Sequence, residues 1–438
     1  MSRGLGTEFI TSARAVVADP QTLITDGAVV VGDGQILAVG PRQAIKRRFA
    51  GVVEQVLEGQ VLLPGLVNAH THLELSDLAG RIPAPSHFTE WVLELGALSP
   101  ASGRTDEAIA AAVTAGAGQS IRYGVTTIGD VSRHCAASRR ALRGGPVRVV
   151  SFGEIMALGR SRNRLEARLA GASEWGDESD FLSIGLSPHA PYSVEGPALQ
   201  QIVRAAEARH LPLTMHLAEL LEEREFLATL GGRLGGDWEV MRRLNLLDAD
   251  IPRFADGPVA WAEHYGLLGA QVPVVLAHLN YPSADDIDRL ARRRAAVAFC
   301  PRTHHYFGHD RQGRHRWREM LASGINVCLA TDSLASNPDL SLLGEAQFVQ
   351  REYPPADPRE LFSMLTIRPA RALGLARHIG ALAPGYRADL VAMPLPAEVS
   401  LSIIPVLEYL IAQAPSAEQV WINGGAMKVW FDSAPVRR

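Results

Sequence analysis

The spacing of apolar and polar positions divides the chain into β-rich ends and an alternating middle. Near the start, Phe9–Val17 predicts a strand. Ala28–Val31 and Gln35–Val39 flank Gly32-Asp33-Gly34, where glycine supplies the positive φ that a hairpin turn needs. The other end reads the same way: Asp389–Met393, then Val420–Ile422 and Met427–Phe431 on either side of Asn423-Gly424-Gly425. These two ends can pair into one small sheet domain. Between them lie eight short β-rich runs: Leu62–Asn68, Val125–Gly129, Val147–Gly153, Phe181–Leu186, Leu211–Met215, Val274–Ala277, Ala295–Phe299 and Ile325–Leu329. The intervening stretches, such as Thr105–Tyr123, Pro197–Arg209 and Ala284–Arg294, have helical composition. Strand–helix alternation implies parallel strands with right-handed crossovers, and eight repeats predict a closed (β/α)₈ barrel in the α/β class. A doubly wound open sheet is the rival, but no G-x-G-x-x-G follows the first strand. Extra length between Gly231 and Gly266 reads as a helical insertion over the barrel mouth.

Composition narrows the function classes. A net charge of −4 gives no basic surface for nucleic acid, so the expected partner is a small-molecule substrate. Cys135, Cys300 and Cys328 are too few for a disulfide framework and point to a reducing, cytoplasmic compartment. Met1–Pro20 lacks the charged start and apolar core of a signal peptide. No run reaches the roughly 18 apolar residues of a membrane span. The most apolar late segment, Leu401–Ala412, is broken by Pro405 and Glu408 and reads as a core helix.

Polar residues follow the predicted barrel strands in a pattern. His70-Thr71-His72 follows the first; positions i and i+2 of an extended segment point to one side, so both imidazoles can reach one metal. Pro188-His189-Ala190-Pro191-Tyr192-Ser193 follows the fourth, His216-Leu217-Ala218-Glu219 the fifth, His278 the sixth and Thr331-Asp332-Ser333 the eighth. In a barrel these positions converge on one face. Singly each is ordinary: a histidine at a strand end hydrogen-bonds, and Thr-Asp-Ser caps a helix. Together they predict a metal site. His304, His305, His309 and His315 invite a second one, but no close pair of carboxylates or cysteines completes it. They read instead as a mobile loop touching substrate. Glu222, Glu223 and Glu225 are assigned to a solvated helix face.

The run Val61-Leu62-Leu63-Pro64-Gly65-Leu66-Val67-Asn68-Ala69-His70-Thr71-His72 resembles the signature of the amidohydrolase superfamily. So do His216, His278, Asp332 and the closing Gly385-Tyr386-Arg387-Ala388-Asp389-Leu390. The resemblance is to its single-metal, cytosine- and nucleoside-deaminase-like branch. It implies a (β/α)₈ TIM barrel over 63–374 and a small β-sandwich built from 1–62 and 375–438. Two-metal members use a carboxylated lysine of the fourth strand. The only lysines here, Lys46 and Lys428, lie outside the predicted barrel, which argues for one divalent ion. Its implied ligands are His70, His72, His216 and Asp332, a set that suits zinc, with iron as the alternative. The implied catalytic residues are Glu219 as acid/base, His278 beside the metal to orient water and stabilise the charged oxygen, and Asp332 as acceptor from that water. Glu219 has a plainer reading as a carboxylate favoured by a helix N-terminus. His189 resembles a substrate-contacting histidine.

One short segment narrows the resemblance. His72-Leu73-Glu74-Leu75-Ser76, followed by Phe88-Thr89-Glu90-Trp91-Val92, looks like the aminodeoxyfutalosine deaminases of menaquinone biosynthesis. On that likeness Glu74 accepts hydrogen bonds from ribose hydroxyls and Trp91 walls the ligand. The alternatives are a structural hydrogen-bond partner and a core residue. The expected reaction is hydrolytic deamination of an aminated purine nucleoside-like substrate such as 6-aminodeoxyfutalosine. Hydrolysis of another C–N or C–Cl bond, in an imidazolone-type cyclic amide or a chlorotriazine, is the second reading, and an inactive binding scaffold the third. A homodimer is compatible with the resemblance, although no self-complementary surface can be read from the chain.

Overall fold

The computed structural model describes residues 8–98, 103–145, 147–174, 179, 181–243 and 245–427. The described strands, in chain order, are β1 Phe9–Asp19, β2 Thr22–Gly32, β3 Gln35–Pro41, β4 Val53–Pro64, β5 Leu66–Thr71, β6 Val125–Ser132, β7 Arg148–Ile155, β8 Leu182–Pro188, β9 Leu213–Leu217, β10 Val274–His278, β11 Ala296–Phe299, β12 Asn326–Leu329, β13 Leu390–Pro394, β14 Gln419–Ile422 and β15 Gly425–Ala426. Strands β5 to β12 lie side by side in chain order, every pair parallel. This is the predicted eight-stranded (β/α)₈ barrel. Its strands are buried on both faces, which is why they read as near-continuous apolar runs.

The barrel closes where β12 returns to β5, and side chains stitch that seam. Asn68 Nδ2 donates to Thr331 Oγ1 at 2.7 Å, and Thr71 Oγ1 donates to the Asp332 carbonyl at 2.7 Å. The Asp332 backbone N–H donates to the His70 carbonyl at 3.2 Å. Closure therefore sets His70 and Asp332, 262 positions apart by number, against each other.

The helices around the barrel are set by caps and stripes. Thr105 caps Asp106–Arg122 by accepting from the Ala108 N–H at 3.2 Å, with Asp106 and Glu107 in the first turn. Ile109, Val113, Ala117 and Ile121 then form its buried stripe. The Gly231–Gly266 stretch contains the helices Glu239–Arg243 and Pro258–His264. Helix Ile403–Gln413 buries Val406, Leu407, Leu410 and Ile411, and Pro405 is tolerated in its first turn, where an N–H would lack a helical acceptor. No described helix is long and apolar enough to cross a membrane.

The predicted run Leu62–Asn68 proves to be two strands. β4 ends at Pro64, pairing with β13, and β5 begins at Leu66, pairing with β6. Gly65 makes the break: a Cβ there would lie 2.0 Å from Thr126 Oγ1. Both halves are apolar because β4 serves two cores. Val61 and Leu63 pack with the barrel helices, Leu62 with the sheet domain.

The chain ends form one sheet in the order β15-β14-β13-β4-β1-β2-β3. It curls over, so that Val29 and Val31 share a core with Leu390, Ala392 and Trp421. Its β3 edge meets the segment before β13 through Ile36 N–H to the Tyr386 carbonyl and Ala388 N–H to the Gly34 carbonyl, at 2.8 and 2.9 Å. The strand paired with β14 is Gly425–Ala426; residues 428–431 of the predicted run Met427–Phe431 lie outside the described residues. Arg148 at the start of β7 joins barrel to sheet through Asp389 and Asn423, at 3.2 and 2.8 Å. Lys46 sits on helix Arg42–Arg48 of the sheet domain, paired with Glu54 at 2.8 Å. Lys428 lies outside the described residues. The three cysteines are buried and free.

Candidate active site

Three imidazoles converge at the mouth. The His216 Nδ1–H donates to the His189 carbonyl at 3.0 Å, which leaves Nε2 with a lone pair. That Nε2 lies 3.2 Å from His72 Nε2, and the two rings are stacked 8° from parallel. His70 stands edge-on to both, fully buried, and among the described residues neither of its ring nitrogens has a hydrogen-bond partner. Burial, followed by the neighbouring histidines, holds His70 and His216 well below the usual imidazole range, so both are neutral. Asp332 turns Oδ1 toward this group, 3.6 Å from His72 Nε2 and 3.9 Å from His70 Nε2, while Oδ2 accepts from Ser336 Oγ at 2.9 Å. Its φ of +57° and the +73° of His278 are left-handed values that side chains rarely adopt. Lone pairs crowded together without donors repel. A divalent cation satisfies them, and the nitrogen and carboxylate donors fit one. The ligand atoms of His70, His72 and His216 all lie within 4.8 Å of one another.

Next to this group stand Glu219 and His278. Glu219 Oε1 is 3.6 Å from His278 Nε2, and both side chains are buried. Burial pushes the Glu219 carboxyl well above the ordinary range, with Asp332 and Glu223 adding to it. Glu219 precedes helix Glu222–Thr229 and so does not belong to its first turn. The loop that carries it is clamped by Glu223, whose carboxylate accepts from the N–H groups of Ala218, Glu219 and Leu220 at 2.9, 2.7 and 3.0 Å. Glu223 is therefore no part of a solvated face, contrary to the sequence expectation; it is fully buried because three backbone donors replace its water. Glu222 is also engaged, with His87 Nε2 at 2.9 Å, and only Glu225 of the three is exposed.

Strands β6 to β8 supply a second wall. His189 Nδ1 lies 2.6 Å from Ser193 Oγ, and burial pushes its pKa down to about 3. Glu74 accepts from Ser132 Oγ at 2.5 Å, from the backbone N–H groups of Arg133 and His134 at 3.2 and 3.1 Å, and faces His134 Nδ1 at 3.2 Å. Against the upward pull of burial, these bonds, His134 foremost, hold its carboxyl at about 2. Its oxygens thus brace the loop after β6. Trp91 Nε1 donates to the Ala335 carbonyl at 3.1 Å, and its ring packs against Phe88 and Phe307, at 5.8 and 5.3 Å between centroids. Phe88 continues to Tyr192, and Tyr192 to His189, as an aromatic wall. Glu154 of β7 also faces this space. Sequence reasoning missed it by ending that strand at Gly153; the signal was a lone acid closing an apolar run.

The histidines after β11 do not form a mobile loop. His304 lies on helix Pro301–Tyr306 and His309 on a 3₁₀ turn, and both are buried with His315. His315 Nε2 donates to the His278 carbonyl at 2.9 Å, and its ring stacks on Phe299 at 3.7 Å. Packing on Phe299 explains the order. His305 is exposed and pairs with Asp310. Arg302 is tied to Glu345 and Asp339, and Arg162 to Glu195 and Asp248.

Comparisons with known proteins give the family and the fold. The model of the Amidohydrolase family matches residues 61–427. Aminodeoxyfutalosine deaminase of Deinococcus radiodurans is 32% identical over 76% of this chain and 78% of its own. The 5-methylthioadenosine/S-adenosylhomocysteine deaminase of Moorella thermoacetica is 28% identical over 84% and 81%. Among solved structures, an adenosine deaminase from Xanthomonas campestris with bound zinc has a TM-score of 0.80 at 23% identity, over 95% of this chain and 92% of that one. Helicobacter pylori aminofutalosine deaminase in complex with methylthio-coformycin has a TM-score of 0.80 at 22% identity, over 96% and 100%. At these identities the solved structures share the fold.

Proposed function

The chain belongs to the amidohydrolase family, and from that premise we propose that it is a metal-dependent hydrolytic deaminase of an aminated purine nucleoside. The observation that carries the reading is Glu219. Its buried carboxyl, raised above the ordinary carboxylate range by burial, lies 3.6 Å from His278, whose ring stacks on His216 of the histidine trio. Such a group can give a proton to a ring nitrogen and later to a leaving amine.

The ion would be held by His70, His72, His216 and Asp332; when bound it supplies a water acidified to near-neutral pKa. The donor set suits zinc, with iron as the alternative. Glu219 donates its proton to the ring nitrogen next to the carbon under attack. It regains one from the attacking water as the C–O bond forms and passes it to the exocyclic amine; the C–N bond breaks, ammonia leaves, and the remaining hydroxyl proton returns to Glu219 as the carbonyl forms. Ser336 fixes Asp332 so that Oδ1 is free to accept from the water. His278, kept neutral by burial and anchored through its carbonyl by His315, aligns the oxygen that gains charge. His189 and the aromatic wall from Tyr192 to Trp91 receive the rest of the substrate.

The favoured substrate is 6-aminodeoxyfutalosine, which would place the chain in menaquinone biosynthesis. The Glu74 segment, Trp91 and the Deinococcus relative support it. The test is ammonia release by the purified, zinc-loaded protein offered 6-aminodeoxyfutalosine, adenosine and S-adenosylhomocysteine. Release is expected to be strongest with the first. Release from none of the three, with metal bound, would transfer the assignment to a cyclic amide or a chlorotriazine.

A further inference from the structure

The mouth contains a buried carboxylate that the mechanism above does not use and that the surrounding backbone does not satisfy. Glu154, next to last in β7, has a side chain only 4% exposed, yet among the described residues nothing donates a hydrogen bond to it. Its Oε2 is 3.9 Å from Arg133 Nε, and its Oε1 is 4.0 Å from His189 Nε2, both beyond hydrogen-bond range. The state of His189 follows from its neighbour. Ser193 Oγ directs its own hydrogen to the Ala190 carbonyl at 3.1 Å, so it accepts from His189 Nδ1–H. His189 Nε2 therefore carries a lone pair. Two acceptors face each other across 4.0 Å with no donor between them. Buried acceptors left without donors cost free energy, so this gap calls for a ligand that brings hydrogens.

A cation is not that ligand. The ligand atoms of Glu154, His189 and His216 do lie within 4.8 Å of one another. But His216 commits Nδ1 to the His189 carbonyl and turns Nε2 to His72, which leaves two ligands, fewer than a metal site uses. We propose that Glu154 and His189 form a paired acceptor for two adjacent hydroxyls of the substrate, the cis-diol of a ribose. Position supports the choice of group. The reacting amine belongs with Glu219 and His278, after β9 and β10, whereas this pair sits after β7 and β8. Donors here come from the non-reacting part of a nucleoside. The carboxylate reading the sugar is then Glu154; Glu74, committed to Ser132, Arg133 and His134, shapes the loop beside it.

This assignment rests on the nucleoside deaminase reading, and its test separates the two. Adenosine, 2′-deoxyadenosine and 3′-deoxyadenosine are compared on the wild-type protein and on Glu154→Gln, both zinc-loaded. They are used as substrates or, if not turned over, as competitive inhibitors of ammonia release from 6-aminodeoxyfutalosine. The wild type is expected to prefer adenosine over at least one deoxy analogue by about 10- to 100-fold. Glu154→Gln should shrink that preference to within roughly 3-fold while binding zinc as the wild type does. An unchanged preference in the variant would overturn the assignment and leave the deaminase reading standing. So would loss of zinc, which would make Glu154 part of the metal site. Absence of ammonia from every nucleoside with the wild type would overturn the underlying reading itself.

Discussion

His70, His72 and His216 bring their ring nitrogens together, whereas His304, His309 and His315, all buried, keep theirs apart. In the first group two ring nitrogens meet at 3.2 Å and a carboxylate closes the set. In the second the rings are 5.6 and 5.9 Å apart, one stacks on Phe299, and one donates to a backbone carbonyl. Burial makes His70, His216 and the whole second group poor bases: His304 falls to about 2, and His309 and His315 to about 4. Counting histidines or their shifted basicity therefore does not identify a metal centre. What distinguishes the first group is that its ring nitrogens and an Asp332 oxygen face one point, with His216 held from outside by the His189 carbonyl.

The widest break in this comparison should come from paired truncations. His70→Ala is expected to lower zinc content by more than about 100-fold in affinity and to abolish turnover, whereas His304→Ala keeps the ion. Metal analysis of the two purified variants decides it, and equal losses would erase the distinction. Glu219→Gln sharpens the account within the first group. Turnover should fall by about 10² to 10⁴-fold with zinc unchanged, since glutamine matches the shape but moves no proton. Near-normal rates would remove Glu219 from the chemistry.

The second group is read as architecture, and its support can be removed. Arg302, on the helix that carries His304, pairs with the fully buried Glu345 at 2.7 Å. Arg302→Ala leaves that carboxylate uncompensated and should cost about 3–5 kcal/mol in denaturant unfolding. A change below about 1 kcal/mol would mean that Glu345 is satisfied without it. The smallest effect expected is on pH. Glu74 is held at about 2 against an ordinary 4.5, so its contribution to stability is complete above 4.5 and is lost as pH falls through about 2. In thermal melts, Glu74→Gln should flatten the acid limb over that window; an unaltered limb would show that its hydrogen bonds form equally in the unfolded chain.

The sequence carried the barrel well, because strands buried on both faces read as apolar runs and because the polar residues after them stand out against those runs. It misled wherever a partner is distant in the chain. Glu223 has the spacing of a solvated helix face, yet its three donors come from the loop before that helix. Glu74 looks like a free pocket carboxylate until Ser132 and His134, some sixty positions later, are folded onto it. The single apolar run around Gly65 concealed two strands because both of its neighbouring cores are apolar. Glu154 escaped notice because its chemistry depends on the gap to His189, a distance that spacing does not encode.

We expect this mouth to hydrolyse a C–N bond with one bound ion. The most direct test strips the protein with a chelator and titrates zinc back while ammonia release from the best nucleoside is followed. No release is expected from the stripped protein, with a linear return that ends at about one ion per chain. Full release from the stripped protein, or a return that needs a second ion, would contradict it.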